Sequence, residues 1–212
     1  MAPTLSKPRF RGVSHELAFF AAAGAGAVLV ALAPPAARLA AAVYAGSLAT
    51  MLGVSALYHR GSWAPGPYRW MGRLDHSAIF LLVAGTYTPL ALSLPDGGRA
   101  MLAIAWGGAA LGIMQSLLWP RAPRALVASL YVAFGWAAVG FWPELRVALS
   151  GPALAALGLG GGLYSIGAVI YAARRPDPVP TVFGYHEIFH ALVIAAAVCH
   201  FGVVVAVMRA IR

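Results

Sequence analysis

The chain has 212 residues, of which 61% are hydrophobic and 10% charged, with a net charge of +9. A soluble domain is about 45–50% apolar and about 25% charged, so these values exclude an ordinary soluble fold and point to an integral membrane protein. The basic residues fall in short groups between apolar runs, as in membrane proteins, and form no continuous face for nucleic acid.

Seven apolar segments follow one another, at about 13–33, 39–59, 74–94, 100–119, 125–142, 152–172 and 185–208. Each is close to the roughly 20 residues that cross the hydrocarbon core as a helix. None has the alternation of barrel strands, and only helices or closed barrels satisfy their backbone in lipid. The expected fold is an all-α membrane protein, one seven-helix bundle over residues 1–212. The first segment follows Lys7, Arg9 and Arg11 and resembles a signal peptide. Its apolar run is longer than an h-region of 7–15 residues, and more spans follow, so it reads as span one.

Turn chemistry separates the segments: Pro34-Pro35, Pro65-Gly66-Pro67, Asp96-Gly97-Gly98, Pro120 to Pro123 and Arg174 to Pro180. With seven spans, the N-terminus and the even loops carry Lys7, Arg9, Arg11, Arg60, Arg69, Arg73, Arg121, Arg124, Arg174 and Arg175. The other side carries Arg38, Arg99, Arg146, Arg209 and Arg212. This asymmetry predicts the N-terminus inside and the C-terminus outside, in a multi-pass cell membrane protein. Cys199 is the one cysteine, so no intramolecular disulfide forms.

Ionisable groups inside spans are costly and mark function. In this topology His59 ends span two, Asp75 and His76 open span three, and His186, Glu187 and His190 open span seven. Distant segments therefore deliver polar groups to one layer near the inner face. His186 and His190 are four apart, on one helix face and about 6 Å apart along the axis. Catalytic zinc sites use three protein ligands, and His59 supplies the third. Ser55 lies one turn from His59 on the same face. Asp75 and Glu187 are both candidates to accept a proton from water at such a site.

"HEIFH" also matches H-E-x-x-H, the zinc-protease pattern with Glu187 as base. The protease reading fails on context, because this helix opens a membrane span. Glu187 is as readily a headgroup-facing residue as a base. His15, Glu16, Asp75 and His76 at span ends also fit simple interfacial positions. His200 is about 15 Å from His190 along the axis, too far for the same ion, and reads as a hydrogen-bonded packing residue. Trp63, Trp70 and Trp142 read as interface anchors.

"SALYHR" (Ser55 to Arg60), "GRLDHSAIFLLVAGTYTP" (Gly72 to Pro89) and "GYHEIFHALVIAAAVCHF" (Gly184 to Phe201) together resemble the hemolysin III family. That family is the bacterial branch of the progestin and adipoQ receptor (PAQR) membrane proteins. "RGVSHELAF" (Arg11 to Phe19) is similar to its opening, although the Asn- or Thr-containing motif that often precedes the first histidine is shortened here, so no role passes to His15. The resemblance implies zinc (Zn2+) on His59, His186 and His190, with water as fourth ligand, Asp75 bonded to that water, and Ser55 as the motif serine. It further implies a superfamily that includes membrane hydrolases of the alkaline ceramidase type.

The leading expectation is therefore a zinc-dependent hydrolase of a lipid amide or ester, with Asp75 and Ser55 as catalytic residues and a membrane lipid as substrate or ligand. The alternatives are a non-enzymatic membrane sensor or receptor with structural zinc, and a pore-forming haemolysin. A pore is disfavoured because no line of polar residues reaches the outer side. A haem protein is disfavoured because the third histidine and Asp75 would have no purpose.

Overall fold

The computed structural model describes residues 7–211, so Arg212, one of the five basic residues counted on the outer side, lies outside the described residues. Among the described residues every named element is helical. Helix α1 (Val13–Leu32) starts behind Gly12 and stops at Ala33, just before Pro34 and Pro35, which cannot extend an α-helical ladder. A short 3₁₀ turn leads into α2 (Arg38–Arg60), which ends at the extended Gly61.

Helix α3 spans Pro65–Ala91. It begins earlier than the expected 74, and the Pro65-Gly66-Pro67 stretch is its first turn rather than a break. Proline is tolerated there because first-turn N–H groups have no intrahelical partner. Helix α4 (Gly98–Leu118) follows, capped from outside by Glu144, whose Oε2 accepts from Gly97 N at 2.9 Å.

The expected segment 125–142 is not one helix. It divides into α5 (Arg124–Gly135), a 3₁₀ stretch Trp136–Phe141 and α6 (Trp142–Ala148). The cause is an inserted side chain. Tyr87 Oη, from α3, donates to Gly135 O at 2.6 Å and accepts from Ala138 N at 2.9 Å, taking over backbone groups at the kink. Pro143, at the start of α6, also lacks the N–H that a continued ladder needs. Helix α7 (Gly151–Ala173) is N-capped by Ser150, and α8 is Tyr185–Ala210.

Six helical stretches among the described residues are long and apolar enough to cross a membrane: α1, α2, α4, α5 to α6, α7 and α8. Helix α3 is long but carries Asp75, His76, Ser77, Thr86, Tyr87 and Thr88, which lower its hydropathy. It holds the largest set of buried residues of any helix, from Ser77 to Ala91.

Helices α1 to α4 pack in chain order, α7 lies on α8, and α8 touches α1, α2 and α3, which closes the bundle. Small side chains fill the contacts: Ala37, Ala41, Ala84, Ala105 and Ala196 have no exposure at all. Close approach of this kind drives helix association in lipid. The outward faces are apolar, with Leu32 79%, Leu118 77% and Val147 80% exposed. In water such a surface would aggregate; in a bilayer it meets acyl chains.

Candidate metal centre

The first turn of α8 is fixed from two sides. Glu187 Oε2 accepts from Gly184 N at 2.8 Å, and Asp177 Oδ1 accepts from Tyr185 N at 3.0 Å. These bonds satisfy N–H groups that the helix itself cannot. They also set where His186 and His190 project, with ring centroids 4.6 Å apart. His59 comes from the last turn of α2, where Trp63 Nε1 donates to Leu57 O at 3.0 Å. Its ring lies 4.7 Å from His186 and 5.0 Å from His190.

The nitrogens converge. His59 Nε2 and His186 Nε2 are 3.1 Å apart, and one ligand atom from each of the three histidines lies within 4.8 Å of the others. A tetrahedral ion with bonds of about 2.0–2.1 Å sets its ligand nitrogens about 3.3 Å apart, so the trio fits a metal ion. Burial favours this use. His59 is 6% and His190 2% exposed, so the site sits away from bulk solvent.

Asp75 completes the group, with Oδ2 3.8 Å from His59 Nε2. Ser55 is buried one turn before His59 and lines the same cavity. The structure therefore brings together all five residues singled out in the sequence: Ser55, His59, Asp75, His186 and His190.

Two expectations need correcting. Glu187 does not face headgroups. It is 3% exposed, and beyond capping Gly184 it accepts from Arg11 Nε through Oε1. Both carboxylate oxygens are engaged, which removes it as a free base. His15 does not face headgroups either. It is 2% exposed and lies flat against His190, with centroids 3.8 Å apart and 2° between planes. The depth argument that gathered the other histidines applied equally to His15, at the start of span one, and was the signal that could have found it.

The remaining groups behave as expected or peripherally. Glu16 stays half-exposed and pairs with Arg60 at 2.9 Å. His76 is half-buried and its carbonyl accepts from Tyr131 Oη at 3.3 Å. His200 is a packing residue: its Nε2 donates to Leu157 O at 3.2 Å, over Gly160, where a Cβ would come within 2.4 Å of the ring. Trp63, Trp70 and Trp142 are all partly exposed near helix ends.

A cavity of about 700 Å³ contains the site. It runs from Lys7, Asp177 and Thr181, past the three histidines, to Tyr164 and His200. The segment before α1 lies over this region, bonded to the loop before α8 through Arg9 N to Thr181 O (3.0 Å) and Phe10 N to Val182 O (3.2 Å).

The sequence resembles known proteins along most of its length. The family described as Haemolysin-III related matches residues 4–201. A hemolysin-3 homolog of Bacillus subtilis (strain 168) is 34% identical over 130 residues, covering 60% of this chain and 58% of that protein. Hemolysin-3 of Bacillus cereus is 36% identical over 132 residues, covering 60% of this chain and 57% of that protein. The adiponectin receptor protein of Drosophila melanogaster is 32% identical over 153 residues, or 63% of this chain and 34% of that receptor. The match thus spans less than two thirds of each relative's length. With a family match along nearly its whole length and a bundle of membrane-length helices, the chain belongs to the haemolysin-III related family of multi-pass membrane proteins.

Proposed function

We propose that this protein is a zinc-dependent hydrolase of a lipid amide or ester, with its site at the inner end of a seven-span bundle. The observation that carries the reading is the grouping of His59, His186 and His190 with Asp75, 3.8 Å from His59, inside a cavity of about 700 Å³. In this reading α3 is the seventh span, in third place, and the N-terminus lies inside with the more basic loops.

Zinc, when bound, would supply a Lewis acid and make water acidic enough to act near neutral pH. His59, His186 and His190 would hold it. Asp75 orients the attacking water and takes its proton, a role worth about 10²- to 10⁴-fold in rate. Ser55, buried one turn from His59, supports that end of the site. The apolar walls of the cavity, among them Ile79, Leu82, Val83 and Val193, suit an acyl chain, which reaches the site from the bilayer between helices.

The test is turnover of amide- and ester-linked lipids by reconstituted protein. Activity that is lost on chelation, restored by zinc and abolished in Asp75→Asn supports the hydrolase. Activity indifferent to chelation overturns it.

A second reading is a membrane receptor with structural zinc, favoured by the similarity to a protein named as an adiponectin receptor. It expects Asp75→Asn to keep metal, fold and cellular function.

A further inference from the structure

The start of α1 makes three contacts at the metal centre that ligation does not use. Arg11 Nε donates to Glu187 Oε1. Gly12 sits at φ 81°, and a Cβ built there would come within 2.5 Å of His59 Cβ. His15 stacks on His190 at 3.8 Å and 2°.

His15 is the unusual member. Neither of its ring nitrogens makes a well-aligned hydrogen bond among the described residues, although the backbone of His190 lies near the ring and the side chain is 2% exposed. Burying unpartnered polar atoms is unfavourable, and an apolar residue would pack this space without that cost. What the ring does provide is a flat face at van der Waals distance from a ligand histidine. An imidazole can bind an ion only when one chosen nitrogen points at it, and ligand orientation is ordinarily fixed by neighbours around the ligands. No hydrogen bond of His190 to another described side chain does this. The stacked ring of His15 blocks rotation of His190 about χ2.

We propose that His15 is a positioning residue of the metal centre: it is the wall that sets the His190 ring, and Gly12 is the notch that lets α1 come close enough to place it. The inference rests on the reading that His59, His186 and His190 hold a metal ion. It adds a fourth helix, α1, to the elements that build the site.

The experiment compares native protein with His15→Ala and His15→Phe in detergent. The readouts are zinc affinity by chelator competition and the visible spectrum of the cobalt(II)-loaded protein. Loss of a residue that orients a ligand typically weakens metal binding about 10- to 100-fold. That loss, with a shifted cobalt band, is expected for His15→Ala. His15→Phe keeps a flat ring and is expected to retain nearly native affinity and the native band. If His15→Ala does not fold, His15→Leu fills the space without an aromatic face and takes its place.

Native affinity and spectrum in the Ala or Leu variant overturn the inference. So does a His15→Phe variant as weak as His15→Ala, which would put the effect in the nitrogens. Equal lowering of the melting temperature in metal-free and metal-loaded protein, at unchanged affinity, would mean plain packing and also overturns it. Those results leave the histidine site standing. A native protein that binds neither zinc nor cobalt removes both.

Discussion

His59 and His186 face each other Nε2 to Nε2 at 3.1 Å, although 127 positions separate them in the chain. Two ring nitrogens approach this closely only across a shared proton or a shared ion. The nearby His190 and Asp75 favour the ion, because a proton needs only two partners.

The two acidic residues of the site separate cleanly by substitution. Asp75→Asn is expected to keep metal and fold while lipid turnover falls at least about 100-fold. Glu187→Gln is expected to keep metal and turnover but to lose about 1–3 kcal/mol of stability, because Arg11 loses its charged partner. Metal content, turnover and melting temperature on both variants read this out. The reverse pattern would restore Glu187 as the base.

Gly12→Ala is predicted to destabilise more than its single methyl suggests. Alanine at φ 81° is strained by about 1–2 kcal/mol, and its Cβ would meet His59 Cβ within 2.5 Å. The expected result is a lower melting temperature together with weaker zinc binding, since the methyl presses on a ligand-bearing residue. An unchanged zinc affinity would show that α1 can yield without moving His59.

Tyr87 holds the kink between α5 and α6. Tyr87→Phe removes the acceptor for Ala138 N and the donor for Gly135 O. Leaving a buried backbone N–H unpaired costs about 1–3 kcal/mol. Thermal unfolding in detergent measures it, and the metal content is expected to stay native because Tyr87 lies more than three turns along α3 from Asp75.

The seven-span topology predicts that a reporter fused to the C-terminus is active outside the cytoplasm and one at the N-terminus inside it. A C-terminal reporter active in the cytoplasm would remove either α3 or another helix from the count of spans.

Much of the site was legible in the sequence because it is written in helical spacing and depth. His186 and His190 four apart, with His59 and Asp75 at matching span ends, needed only periodicity and a topology. The places of His15 and Glu187 are not legible in the sequence, for a shared reason. Their environments are made by α1 lying against α8, a contact between the two ends of the chain that no local pattern encodes. The early start of α3 was hidden because Pro65 and Pro67 read equally as a turn or as a first helical turn. The kink at 136–141 was hidden because its cause, Tyr87, belongs to another helix.

The most direct test of the metal centre is metal analysis of purified protein alongside the His59→Ala/His186→Ala double variant, each checked for folding. About one zinc per chain in the native protein and none in the folded double variant is the predicted result. Zinc retained in full by the double variant would contradict a site built on these histidines.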